Sequence, residues 1–119
     1  IEPITSFRNF IREKANTQKC SNIYVIDGFL DSIPFPENSF DILFTSNAIG
    51  WSLEEELQEI ERVVKPDGQV IHIMRMNEEE TGNPLHQRLV SPDWNYECIR
   101  FQGETDQKLK YIKVLDGNR

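Results

Sequence analysis

The apolar positions of this chain fall into two kinds of pattern, helical stripes and short unbroken runs, separated by turn signals. Ile4, Phe7, Phe10, Ile11 and Ala15 recur at helical spacing in ITSFRNFIREKAN, residues 4–16, with Thr5 or Ser6 available as a cap, so this stretch predicts an amphipathic helix. SNIYVIDG at 21–28 groups Ile23, Tyr24, Val25 and Ile26 and stops at Asp-Gly, as a buried strand does. FLDSIPFPENS carries two prolines and no helical period, which makes it a loop, and FDILFTS reads as a second buried strand. Ser52 with Glu55 forms a capping box ahead of the stripe Leu53, Leu57, Ile60 and Val64, which ends at Lys65-Pro66-Asp67-Gly68; a helix is expected over 52–65. QVIHIMR, rich in β-branched residues, is a third strand. NEEETGNPLHQRLVS is polar, with a short helix at most in its second half. WNYECIRFQ and KLKYIKVL then predict two strands joined by a turn at Gly103-Glu104-Thr105-Asp106.

Alternation of helix and strand followed by a hairpin predicts an α/β sheet, parallel at its centre and antiparallel at one edge, in a single domain over 1–119. Ligands in such sheets sit beyond the carboxyl ends of the parallel strands, where Asp27-Gly28 and Thr45-Ser46-Asn47 fall.

Composition narrows the partners. A net charge of −7 and a pI near 4.8 argue against a nucleic-acid backbone or an anionic membrane as partner, and leave a small neutral or cationic ligand open. Cys20 and Cys98 lie far apart without a C-x-x-C element, so neither a zinc site nor a disulfide framework is implied. No apolar run has the length of a membrane span and no signal sequence opens the chain, so a soluble, cytoplasmic protein is expected. His72 lies inside a strand and reads as a core histidine, His86 has no evident partner, and Glu78-Glu79-Glu80 reads as a solvated face.

IEP at 1–3, IDGFLDSIPFPENSFDILFTSNAIGW at 26–51 and EIERVVKPDGQVI at 59–71 together resemble the class I S-adenosylmethionine-dependent methyltransferases, in their small-molecule, type 11-like branch. SNAIGW looks most like the trans-aconitate and malonyl-carrier methyltransferases. The resemblance implies a truncated Rossmann-like sheet and a cofactor, S-adenosylmethionine. It puts Glu2 at the ribose hydroxyls, a charge-assisted contact suited to a carboxylate. Where the family has Gly-Asp beside the adenine, this chain has Gly28-Phe29 with the acid one place early at Asp27. Phe29 then packs on the adenine face, and Asp27 either reaches the adenine or braces the turn. Thr45 and Ser46 floor the methionine half, where backbone carbonyls and short polar side chains hold an ammonium group. Asn47 and Trp51 face the methyl acceptor, although core packing at a helix start accounts equally for Trp51. No general base is identified.

The family's D-x-G-x-G loop has no counterpart here: of Gly28, Gly50, Gly68, Gly82, Gly103 and Gly117, no two are separated by one residue. The chain starts with Ile, and the match begins at the end of the family's second strand, so it is expected to be the C-terminal part of a larger unit, with about half of the cofactor site. Losing two or three hydrogen bonds to a charged group, at roughly 1.5–3 kcal/mol each, lowers affinity by about two to six orders of magnitude, so weak or absent cofactor binding and no useful turnover are expected of this chain alone. In the family's sheet the two missing strands lie between 22–27 and 41–46. Either those surviving strands pair directly or another copy covers them, and a homodimer through exposed strand edges is expected. Two functions stay open: methyl transfer to a small-molecule acceptor, and a non-catalytic binding or oligomerisation module. A nicotinamide-dinucleotide domain is disfavoured by the lack of G-x-G-x-x-G and by the PFPENSFD turn.

Overall fold

The computed structural model describes residues 1–75 and 83–117, so the acidic run at 78–80 lies outside the described residues. The elements in chain order are α1 (Thr5–Thr17), β1 (Phe40–Ser46), α2 (Leu53–Val63), β2 (Val64–Arg75), α3 (Pro84–Leu89), β3 (Glu97–Gln102) and β4 (Gln107–Val114). One sheet runs β1-β2-β4-β3, with β1 and β2 parallel and the other two pairs antiparallel. The α/β class and the C-terminal hairpin are as the sequence predicts, with Gly103 N–H closing the turn on Asp106 O at 2.7 Å.

The register puts Leu43, Thr45, Val70, His72, Met74, Leu109 and Tyr111 on one face of the sheet. Leu57, Ile60 and Val63, the apolar stripe of α2, cover that face and are fully buried with Leu89 of α3. Trp94 and Arg88 both bond the Glu54 carboxylate, which ties α2 to the α3 region. α2 ends at Val63, short of the expected residue 65, because Val64 already pairs with Phe40. The pairing then resumes at Ile42 with Gln69, so Lys65-Pro66-Asp67-Gly68 bulges out as a turn. A Cβ at Gly68 would lie 2.5 Å from Val64 Cγ1 and 2.9 Å from the Asp41 carbonyl, which reserves the position for glycine.

Two sequence expectations fail here. Residues 21–28 join no sheet: Phe29 and Ser32 form an isolated bridge, and the Ile26 and Val25 carbonyls accept from Glu2 N–H at 2.9 Å and from the Arg12 guanidinium at 3.0 Å. Tyr24 is 82 % exposed. An apolar run becomes a buried strand only where neighbouring strands take its backbone groups, and the described residues supply none along 22–27. The parallel part of the sheet is therefore a single pair of strands. The cap of α1 also differs. Ile4 is the N-cap, and the Glu2 carboxylate accepts its N–H at 3.1 Å in place of a Thr5 or Ser6 cap.

The second face of the sheet stays open, with Ile42 at 60 % and Phe44 at 57 % exposure beside half-buried Ile71, Ile73 and Ile112. Residues 22–26 and β1 do not pair. They flank a groove of about 630 Å³ lined by Asn22, Tyr24 and Ile26 on one side and Phe40, Ile42 and Phe44 on the other. Both cysteines are half-buried thiols, and no described helix is long and apolar enough to cross a membrane.

One-sided burial makes a measurable contrast. Leu57→Ala is expected to cost about 2–5 kcal/mol in urea unfolding, whereas Ile42→Thr on the open face changes stability by about 0.5 kcal/mol or less.

Candidate functional site

A cavity of about 770 Å³ opens at the carboxyl end of β1. Glu2, Gly28, Phe29, Thr45, Ser46, Asn47 and Trp51 all line it. Three backbone segments far apart in sequence thus converge, and each is held by an identifiable contact. Glu2 N–H on Ile26 O joins the first wall to the second. A Cβ at Gly28 would lie 3.2 Å from Ile1 Cγ2 and 3.4 Å from Pro34 Cδ, so that close approach depends on glycine. The third wall turns sharply at Asn47, whose φ of 50° is tolerated by asparagine, while its N–H reaches Ile73 O at 2.9 Å.

Glu2 spends Oε1 on Ile4 N–H and has Oε2 directed to no protein donor among the described residues. A carboxylate so placed can accept from ligand hydroxyls. Phe29 presents an exposed ring to the same cavity. Trp51 is 95 % exposed, which overturns the core-packing alternative for it. Asp27 is absent from the cavity wall and pairs with Arg8 at 3.1 Å, so it braces the turn against α1.

Sequence reading missed Glu56. It is buried, lines the cavity, and accepts Gly50 N–H at 2.8 Å and Ser52 N–H at 3.3 Å. This carboxylate, rather than Glu55, reaches back over the start of α2, and it fixes the loop that carries Trp51. The expected capping box of Ser52 with Glu55 does not form, since Ser52 makes no side-chain cap bond; which of the three consecutive glutamates at 54–56 faces inward is set by how the helix rolls onto the sheet. Asp31 also lines the cavity.

Below the floor lies a buried polar chain. Thr45 Oγ1 is 2.6 Å from His72 Nδ1, its register partner on β2, and His72 Nε2 is 3.3 Å from the Tyr96 hydroxyl. All three residues are buried. His72 is thus the core histidine that its strand position suggests, and burial pushes its pKa down to about 4. His86, without an evident partner in sequence, meets the Tyr111 hydroxyl at 2.7 Å. Among the described residues no cluster of His, Cys, Asp and Glu has the arrangement of a metal site.

The family model described as "Methyltransferase domain" matches residues 1–72, more than half of the chain. The chain belongs to the methyltransferase domain family. Its fold is similar to that of a SAM dependent methyltransferase from Aquifex aeolicus, with a TM-score of 0.72 at 20 % identity over 95 % of this chain and 66 % of that one. It is also similar to the YcgJ protein of Bacillus subtilis, with a TM-score of 0.75 at 12 % identity over 97 % of this chain and 80 % of that one. Among curated proteins it is 32 % identical over 63 residues to the uncharacterized protein YafE of Escherichia coli K12, covering 30 % of that protein's length. The methyltransferase domain described here thus spans less than a third of YafE and about two thirds of the Aquifex structure.

The depressed His72 pKa makes the stability of this methyltransferase domain pH-dependent. Between about pH 6.5 and 4 the unfolded chain binds a proton that the folded one refuses, so stability is full above the unfolded pKa and falls on acidification by about 3 kcal/mol. Urea midpoints measured across that range should show the loss in the wild type, and His72→Gln should flatten it.

Proposed function

We propose that this domain takes part in S-adenosylmethionine-dependent methyl transfer to a small-molecule acceptor, and that the 770 Å³ cavity holds the methyl donor. The observation that carries the reading is the convergence of Glu2, Gly28-Phe29 and the 45–47 corner on one cavity, with family membership behind it. The volume is in the range of about 300–1,000 Å³ usual for small-molecule sites. On this reading Glu2 Oε2 accepts the ribose hydroxyls and Phe29 packs on the adenine, both residues being on the cavity wall. The 45–46 floor meets the methionine end, and Asn47 and Trp51 meet the acceptor.

The bound cofactor supplies an activated methyl group on a sulfonium. The work left to the protein is alignment and exclusion of water. The 50–52 loop, held by Glu56, carries the exposed Trp51 ring that would close over the acceptor. Among the described lining residues the titratable side chains are Glu2, Asp31 and Glu56. Glu2 and Glu56 accept backbone N–H groups, which suits a reaction whose acceptor is already ionised, such as a carboxylate.

Without a glycine-rich loop among these 119 residues, the chain alone binds the donor weakly and turns over slowly or not at all. Calorimetric titration with S-adenosylhomocysteine is expected to give a Kd of about 1 mM or weaker, with Glu2→Gln removing the residual binding. Micromolar binding that ignores Glu2→Gln would refute the assignment.

A second reading, a non-catalytic module that self-associates, is favoured by one observation. β1 ends the sheet with Ile42 and Phe44 more than half exposed beside the 22–26 groove. On this reading a second copy adds to the β1 edge, and sedimentation should give a dimer that Phe44→Lys converts to monomer.

A further inference from the structure

We propose that Tyr96, His72 and Thr45 form a directed hydrogen-bond chain that makes the Thr45 hydroxyl a donor to the ligand, so that the group it takes is an acceptor oxygen and not an ammonium. Thr45 is then a specificity-determining residue of the cavity, and His72 is a positioning residue that acts through it.

The direction follows from counting protons. Tyr96 is buried, and among the described residues its hydroxyl has one hydrogen-bond partner, His72 Nε2 at 3.3 Å. A neutral imidazole carries a proton on one nitrogen and accepts on the other. If Nε2 held the proton, the Tyr96 O–H would be left without an acceptor in the core, and Thr45 would direct its own hydrogen to Nδ1. An unsatisfied buried donor is among the costlier defects a core can hold. With Nε2 accepting from Tyr96, the proton sits on Nδ1 and is donated to Thr45 Oγ1 at 2.6 Å. The Thr45 hydrogen is thereby released, and Thr45 alone of the three lines the cavity. Either tautomer leaves one hydroxyl hydrogen over: that of Tyr96, shut in the core, or that of Thr45, at the cavity wall where solvent or a ligand can accept it, and the second arrangement is the cheaper. Burial keeps His72 neutral near pH 7, so one proton serves the ring. Neighbouring cationic and aromatic groups do not compete for these atoms: His86 is engaged with Tyr111, and Lys113, bonded to Glu61, lies over the Tyr96 ring at 5.3 Å.

A donor at this position opposes an ammonium, whose own hydrogens also need acceptors. An ammonium at the floor is left to the backbone carbonyls of the corner, and the Thr45 hydroxyl meets a carboxylate or another oxygen acceptor. This ligand class rests on the methyl-donor reading of the cavity, whereas the proton direction does not.

The direction is read by long-range ¹H–¹⁵N spectra of the whole chain at pH 7. The expected result is a His72 ring protonated at Nδ1, which Tyr96→Phe shifts toward Nε2 protonation because Nε2 no longer has a donor to accept. A ring protonated at Nε2 in the wild type overturns the proposal. The ligand class is read with three probes: S-adenosylhomocysteine, 5′-methylthioadenosine, which lacks the amino-acid end, and citrate as a bare polycarboxylate. Thr45→Val should weaken a carboxylate-bearing probe by about ten- to a hundredfold while leaving methylthioadenosine within about twofold, and Thr45→Ser should restore it. Loss with S-adenosylhomocysteine places the carboxylate on the donor, and loss with citrate places it on the methyl acceptor. Equal loss for all probes, or none for any that binds, overturns the ligand class. Failure of all three to bind the wild type even at roughly 10 mM, well above the Kd expected of S-adenosylhomocysteine, refutes the methyl-donor reading and the ligand class with it, and the tautomer still decides the proton direction.

Discussion

The parallel pairing of β1 with β2, backed by α2, is the constraint on which the rest of this molecule depends. Two parallel strands end on the same side, so Thr45, Ser46 and Asn47 emerge beside Ile73 rather than at the far end of the sheet. Leu57, Ile60 and Val63 hold the pair by burying one face against Val70, Leu109 and Tyr111. Shifting the register by one residue would send Val70 and Met74 outward and the isoleucines inward, and Thr45 would lose His72. The position of the cavity floor is thus a consequence of apolar packing several ångströms below it.

Burial is strongly unequal across the sheet. One face has α2 and α3, while Ile42, Phe44 and Val114 on the other face remain exposed. The same imbalance appears in α1, whose stripe has the right spacing yet buries Ala15 and leaves Phe7 and Phe10 in solvent. Periodicity marks which face of an element is apolar; burial also needs a surface to meet it. Local contacts hold α1 instead: Arg8 bonds the Glu2 carbonyl and Asp27, and Arg12 reaches the Val25 carbonyl.

Two carboxylates organise the cavity walls in the same manner. Glu2 takes the first free N–H of α1 and Glu56 takes the N–H groups of Gly50 and Ser52 ahead of α2. Each anion sits where a helix start presents unpaired donors and a favourable dipole, which offsets the cost of bringing charge out of water. Glu56, being buried, uses its charge to hold backbone. Glu2 holds backbone with one oxygen and lines the cavity. Identical side chains thus differ in what their second oxygen meets, backbone for Glu56 and the open cavity for Glu2.

Local pattern was enough for α2, the β3–β4 hairpin and the carboxyl-end position of the 45–47 corner, because the stripe at 53–64 and the 103–106 turn are written in neighbouring residues. The family signature was equally local, and it marked Glu2, Gly28 and Phe29 before any geometry was known. What sequence misread or left open were matters of partnership. Residues 21–28 have the composition of a strand but no sheet neighbour, Asp27 goes to Arg8, Trp51 stands in solvent, and Glu56 rather than Glu55 turns inward. The pairing of Thr45 with His72 and Tyr96 joins residues up to fifty-one positions apart. A residue's type sets which bonds it can form, and that is read from the chain directly; which bonds it does form depends on groups brought near by folding, so only the tertiary structure decides them.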